Sequence, residues 1–324
     1  MVGVYRIHET GGPDVLRWED EQFASPGSDQ VLVRHTAIGL NYLDTYHRSG
    51  LYPLPLPARL GVEAAGLVEA VGDAVTDLSV GDRVAYAGYP GAYGDANLVP
   101  AGRLVAVPEG ISDEIAAASL LKGLTVCYLL QRTFPVNADH TLLVHAAAGG
   151  VGLILCQWAR HIGATIIGTV GSAEKAALAE DNGATHTILY REEDVVKRVR
   201  ELTGGRGVDV SYDSVGKDTF ETSLNSLAPL GMLVSYGNAS GNAPAVHPHD
   251  LQNRGSLFFT RPTLATYAAR TSDLRSMADQ LFALISSGVV QIHVNQRYPL
   301  SALPQAHRDL ESRATTGSTV LLPD

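Results

Sequence analysis

Apolar and polar positions along this chain follow two different periods. In the first 118 or so residues the apolar segments are short and alternate with polar positions. Residues 31–38 alternate like a half-buried strand, and residues 66–72 and 81–86 form two more runs bounded by turn residues. This part reads as a mostly β unit. From about Glu114 the period lengthens: residues 116–121 start a helical stretch, and a second helix is expected over 122–131. The uninterrupted apolar run Thr141-Leu142-Leu143-Val144 then predicts a buried strand, and residues 153–160 a helix. Beyond it strands and helices alternate. Strands are predicted over 164–170, 186–189, 208–212, 231–235 and 256–260, and helices over 173–181, 193–202 and 219–227. Repeated βαβ order implies a parallel sheet covered on both faces. After Pro262 come a long helix over 271–286 and short strands ending at 318–322, a tail able to return to the first unit.

Between the strand ending at Val144 and the helix from Leu153 lies His145-Ala146-Ala147-Ala148-Gly149-Gly150-Val151-Gly152. A strand, a tight glycine turn and a helix open a dinucleotide-binding unit. Without a Cβ, Gly149 and Gly150 let the backbone approach a pyrophosphate, and the helix beyond offers unpaired N–H groups. In NAD-binding units an acid ends the second strand and holds the ribose 2′-hydroxyl. Here that strand ends Thr169-Val170-Gly171-Ser172, with Lys175 in the following turn and Tyr190-Arg191 after the third strand. A missing carboxylate beside a cation suits a 2′-phosphate, which favours NADPH over NADH. Lys175 itself reads either as the phosphate's counter-charge or as an exposed helix lysine.

Charge narrows the partners. Lys and Arg total 24 against 34 Asp and Glu, a formal net charge of −10, which opposes nucleic acid or an anionic membrane as main partner. The stretch 141–159 carries no formal charge, but it holds three glycines and a histidine and breaks from strand to helix, a poor membrane span. The N-terminus shows no signal core. The two cysteines, Cys127 and Cys156, sit in apolar helical contexts and read as buried thiols of a cytoplasmic protein.

The run from Asp139 through Ala147-Ala148-Gly149-Gly150-Val151-Gly152 to Gln157 and Arg160 resembles the signature of the zeta-crystallin-like quinone oxidoreductases, in the medium-chain dehydrogenase/reductase superfamily. Further blocks resemble bacterial NADPH:quinone reductases: residues 38–46, 48–53, 121–125, 235–238, 260–262 and 311–315. The resemblance implies an α/β chain in which a doubly wound Rossmann sheet (residues 119–262) is inserted in a GroES-like β-rich domain (1–118 and 263–324). It implies an active cleft between the two, and a homodimer paired through the Rossmann domain. Carried over position by position, Gly149, Gly150 and Val151 hold the pyrophosphate. Ser172, Lys175, Tyr190 and Arg313 surround the 2′-phosphate, and Tyr42, Tyr46, Thr125, Ser214, Gly237, Asn238 and Thr260 line the rest of the NADPH channel. Ala147 stands where the fingerprint has its first glycine.

Zinc dehydrogenases of the superfamily place a cysteine near Asn41 and read Gly-His-Glu where this chain has Gly61-Val62-Glu63. Their structural zinc needs four cysteines; two cannot build it. The expectation is a zinc-independent enzyme moving a hydride from NADPH to a small quinone, an acceptor electrophilic enough to react without a Lewis acid. Asn41, Tyr46 and Tyr52 are expected near the quinone oxygens, positioning them and stabilising developing charge. The alternative is that Asn41 caps a turn and the tyrosines are wall residues. Glu63 reads either as a relic of the zinc set or as an internal ion-pair partner, His145 as a packing residue or a proton donor. His247 and His249, with no third ligand nearby, read as a loop. The Gly- and Tyr-rich stretch 88–94 predicts a mobile segment. Two other functions fit the same residues: an NADPH-dependent reductase of alkenals or enones, and an NADPH-binding protein with incidental turnover.

Overall fold

The computed structural model describes residues 1–324. Two compact units form: Met1–Leu124 with Ala268–Ser287 and Ile292–Asp324, and Thr125–Tyr267 with Gly288–Gln291. No helix is long and apolar enough to cross a membrane.

The first unit begins with strands β1 (Val2–Ile7), β2 (Arg17–Glu21) and β3 (Gln30–Leu40), helix α1 (Tyr42–Ser49), strands β4 (Ala58–Arg59), β5 (Glu63–Val71), β6 (Arg83–Ala87), β7 (Ala96–Pro100) and β8 (Leu104–Ala106), and helix α2 (Asp113–Tyr128). Strand β3 follows the predicted alternation: Val31, Val33, His35 and Ala37 are buried, while Arg34 and Thr36 face outward. The two helices expected over 116–131 are one. Gly123 lies inside α2 without breaking it; a Cβ there would stand 2.3 Å from the Leu281 side chain, so the glycine serves close helix packing. That unbroken helix also carries the unit border to 124/125, beyond the expected 118/119.

The second unit alternates β9 (Thr141–Val144), α3 (Gly150–Ile162), β10 (Thr165–Val170), α4 (Ala173–Asp181), β11 (His186–Leu189), α5 (Val195–Leu202), β12 (Val208–Asp213), α6 (Phe220–Ser226), β13 (Leu227–Ser235), α7 (Pro248–Asn253), β14 (Phe258–Thr260) and α8 (Leu264–Tyr267). Every strand pair is parallel, in the order β11-β10-β9-β12-β13-β14, the doubly wound arrangement. Leu143, Ile167, Ile188, Val208 and Leu233 form its core with Phe220 and Leu224 of α6.

The tail, α9 (Thr271–Ser286), β15 (Val294–Pro299), α10 (Leu303–Glu311) and β16 (Ser318–Leu322), returns to the first unit. Strand β16 pairs antiparallel with β3, Thr319 opposite Leu40 and Leu321 opposite Ile38, within a seven-stranded sheet. Its Leu321 joins Val31, Val33, Ile38, Tyr86 and Leu104 in one core. The stretch 88–94 is anchored rather than loose. The N–H groups of Gly91 and Ala92 donate to Gly61 O, and Tyr93 is fully buried. An aromatic ring with a burial site fixes a glycine-rich loop.

Candidate functional site

In the second unit the expected nucleotide residues gather at the carboxyl ends of the parallel strands. Gly149 and Val151 follow β9, Ser172 follows β10, Tyr190 follows β11, Ser214 follows β12, Gly237 and Asn238 follow β13, and Thr260 ends β14. The strand order reverses between β9 and β12, where such sheets bind ligands. Gly149 is the N-cap of α3, and a Cβ built on it meets only Ala146 O, at 3.2 Å. Gly152 is different: its Cβ would lie 2.4 Å from Ala146 O, so glycine there is required by packing of the turn on the helix. Ala146 adopts the left-handed region at φ 53, a conformation that turns the chain sharply at this point.

Ser172 caps α4, its Oγ accepting from Lys175 N–H at 3.4 Å. Tyr190 lies over the same turn, since a Cβ on Gly171 would stand 2.8 Å from its hydroxyl. Ser172, Tyr190 and the backbone of Lys175 thus share one turn, with no carboxylate ending β10. One acid was passed over in the sequence. Glu174 stands in the first turn of α4, and hydrogen bonds from its own N–H and from Ser172 hold its carboxyl below the usual range.

A buried polar network supports this edge. Asp213 ends β12; its Oδ1 accepts from the N–H groups of Val215 (2.8 Å) and Gly216 (3.0 Å), and its Oδ2 accepts from Ser223 Oγ at 2.7 Å. The only hydroxyl proton of Ser223 is thereby used, so its oxygen accepts from His145 Nε2 at 3.0 Å, and His145 Nδ1 accepts from Thr169 Oγ1 at 2.9 Å. Burial pushes His145 below the usual imidazole range. The neutral ring is a structural link fixing the turn that carries Ser214.

In the first unit, Asn41 is the N-cap of α1, and its N–H donates to Asp44 Oδ2 at 2.9 Å. Its side-chain amide donates to Glu63 Oε2 at 2.8 Å, and so is committed inside the unit. Glu63 is fully buried and also accepts from Leu121 N–H (2.6 Å) and Lys122 Nζ (3.3 Å). Glu63 is therefore an internal ion-pair partner. Lys122 was missed as a charge, although a lysine in an otherwise apolar helical stretch was a legible signal. Tyr46 stacks edge-on against Tyr52, ring centroids 5.2 Å apart, and lies 6.2 Å from Tyr42. The Tyr42 hydroxyl donates to Leu310 O at 2.9 Å, so its ring rather than its hydroxyl is available. Thr125 belongs to the second unit. Arg313 belongs to the first, just past α10, in the left-handed region at φ 62.

No three His, Cys, Asp or Glu side chains cluster as a metal site. A further buried chain, invisible in the sequence because its members lie up to 263 residues apart, joins α1 to α10 through Arg48, His307, Tyr93 and Asp44. Burial pushes the Asp44 carboxyl up to about 7 and, with Arg48 beside it, drops His307 to about 3.

The chain matches the family described as "Zinc-binding dehydrogenase" over residues 150–285 and "Alcohol dehydrogenase GroES-like domain" over 27–109. It is 55% identical to a quinone oxidoreductase of Pseudomonas aeruginosa over 315 residues, 97% of each chain. It is 48% identical to a 2-haloacrylate reductase of a Burkholderia species, covering 100% of this chain and 99% of that one. The Escherichia coli quinone oxidoreductase complexed with NADPH superposes with a TM-score of 0.97 at 49% identity, covering 99% of this chain and 100% of that one. Parallel-sheet order, glycine turn and near full-length identity agree, and the chain belongs to the quinone oxidoreductases of the medium-chain dehydrogenase/reductase superfamily.

Proposed function

We propose that the chain is a zinc-independent reductase that binds NADPH and passes its hydride to a small quinone. The observation that carries the reading is the carboxyl edge of the parallel sheet. There Gly149 at the N-terminus of α3 suits a pyrophosphate, and Ser172, Tyr190 and the Lys175 backbone share one turn with no acid ending β10. Bound NADPH supplies the hydride; the chain supplies orientation. Gly149, Gly150 and Val151 cradle the pyrophosphate, and Lys175 balances the 2′-phosphate beside Ser172 and Tyr190. Ser214, Gly237, Asn238, Thr260 and Thr125 line the path toward the nicotinamide. Tyr42, Tyr46 and Tyr52 offer ring faces to flat aromatic groups, and the hydroxyls of Tyr46 and Tyr52 position the quinone oxygens.

Asn41 takes a different part in this reading from the one its sequence suggests. With its amide given to Glu63, it fixes the start of α1 and hence the tyrosines, and acts on the substrate through them. Glu63, with both oxygens already accepting hydrogen bonds, stands where no zinc is needed for an acceptor as electrophilic as a quinone. The reading includes a homodimer. Strand β14 is one of the two edges of the parallel sheet, and Phe258 on it is 55% exposed with Leu230 of the neighbouring strand 67% exposed. It also includes a cytoplasmic setting, compatible with two buried, unpaired thiols.

The test is oxidation of NADPH and, in parallel, NADH by chelator-treated protein with benzoquinone, a naphthoquinone, an alkenal and a 2-haloacrylate. Quinone turnover with NADPH that survives the chelator supports the reading. Turnover confined to the alkenal or haloacrylate moves the chain to the double-bond reductases, and tight NADPH binding with no turnover makes it a binding protein. For the dimer, Phe258→Asp is expected to give monomers in sedimentation velocity; an unchanged sedimentation coefficient removes β14 as the interface.

A further inference from the structure

Two turns leave the carboxyl edge of the parallel sheet where the strand order reverses: the glycine turn that His145 opens after β9, and the turn at Ser214 after β12. The last backbone bond between the two strands runs from His145 N–H to Tyr212 O at 3.1 Å. Beyond it a single side chain joins them. Ser223 of α6, fully buried, donates its hydroxyl proton to Asp213 Oδ2 at 2.7 Å and accepts from His145 Nε2 at 3.0 Å. Asp213 shapes the second turn directly, because its Oδ1 takes the N–H groups of Val215 and Gly216. That turn carries the next one with it. Ala239 N–H donates to Ser214 O at 3.2 Å and Ser240 N–H to Val215 O at 2.8 Å, and a Cβ on Gly237 would stand 2.3 Å from Ser214 O.

A dinucleotide is two nucleotides joined by a pyrophosphate. Its gain over either half depends on how well the spacing of the turns that receive it matches that join. The sheet ladder fixes the spacing only as far as Val144 and Tyr212. Past them the Ser223 hydroxyl is the link, and it is a costly one to open. Both His145 Nε2–H and Asp213 Oδ2 would lose a partner in a buried setting, a larger loss than the bond itself.

We propose that Ser223 is a positioning residue for the dinucleotide: by joining Asp213 to His145 it sets the spacing between the glycine turn and the Ser214 turn. The proposal rests on the reading that NADPH lies along this edge, with its 2′-phosphate at the turn of Ser172 and Lys175. Ser223, fully buried, touches no cofactor; it acts through the two turns.

The experiment measures NADPH affinity by fluorescence titration, and that of adenosine 2′-monophosphate, which carries the 2′-phosphate but no pyrophosphate, by its displacement of NADPH. Melting of each variant is checked first. Ser223→Ala is expected to weaken NADPH about tenfold, the size of one or two hydrogen bonds, and the monophosphate less than about twofold. Asp213→Asn keeps the link by reversing it: the new amide donates to Ser223, Ser223 to His145 Nε2, and His145 Nδ1–H to Thr169. That variant is expected to hold NADPH affinity within about twofold while the His145 proton moves from Nε2 to Nδ1, read by NMR of the imidazole nitrogens. Should Ser223→Ala fail to fold, His145→Phe cuts the same link from the other side and decides by the same ratio. Equal losses for the two ligands, or no loss for NADPH, overturn the proposal. So does an Asp213→Asn variant as weak as Ser223→Ala, which would assign the effect to the Asp213 charge, or one whose His145 proton stays on Nε2. The parent protein separates the premise. If adenosine 2′-monophosphate does not displace NADPH from it, the reading of this edge fails and the proposal with it. If displacement occurs and the ratio does not move in Ser223→Ala, the proposal alone falls.

Discussion

Asp44→Asn is expected to flatten the pH dependence of stability of the first unit. Asp44 is fully buried; its Oδ2 accepts from Tyr93 Oη and Asn41 N–H, and its Oδ1 has no partner. Burial pushes its carboxyl from 3.8 up to about 7; the bonds from Tyr93 and Asn41 and the Lys122 charge oppose that rise, and Glu63 adds to it. A carboxyl raised on folding binds its proton in the folded chain when the unfolded chain has released it. Stability from this group is therefore complete below pH 3.8 and is lost as pH rises to about 7. Between pH 5 and pH 8 the loss spans two pH units at about 1.36 kcal/mol each, or about 3 kcal/mol. Asparagine keeps the shape and cannot titrate. The assay is urea unfolding at pH 5 and pH 8 in a Trp158→Phe background, so that Trp18, packed 5.1 Å from Tyr5, reports the first unit alone. The parent should lose about 3 kcal/mol more than Asp44→Asn across that interval, other titrating groups cancelling in the difference. Parallel losses in the two proteins would refute the account of Asp44 as a buried, protonated acid.

Glu63→Gln leaves the Lys122 ammonium buried without a counter-charge and should cost about 3–5 kcal/mol, most of it recovered by adding Lys122→Met; thermal unfolding of the single and double variants decides. Arg313→Gly should be more stable than Arg313→Ala by about 1 kcal/mol, because only glycine adopts φ 62 without strain; thermal unfolding of the two variants checks it. Lys175→Ala should raise the Michaelis constant for NADPH far more than for NADH; equal effects would remove Lys175 from the phosphate cluster.

Much of the second unit was legible because its determinants are local. The apolar run at 141–144, the glycines at 149–152 and the alternation that follows each specify one element and its neighbour, and a right-handed βαβ connection leaves few ways to assemble them. Helices α4 and α9 and strands β9, β11 and β16 carry the bounds their patterns predicted. The first unit was less legible. Helix α1 begins at Tyr42, in a segment whose chemistry was read without its helix. Helix α10 was passed over, although its residues 303–311 place Leu303, Ala306 and His307 on one buried side. The same local patterns that drew the parallel sheet said nothing about which polar side chains would be buried together.

The sequence by itself therefore determined the nucleotide-binding sheet, the glycine turn at its edge and the absence of an acid after β10, since each is written within a few consecutive residues. Tertiary structure alone decided the state of the charged and polar groups. It gave Asn41's amide to Glu63, placed Lys122 beside that carboxylate, made His145 a neutral link between Thr169 and Ser223, and tied Arg48 to Glu311. The physical reason is that a buried polar group must find its partner wherever the fold brings one. Its energy depends on burial and geometry, which no spacing along the chain records.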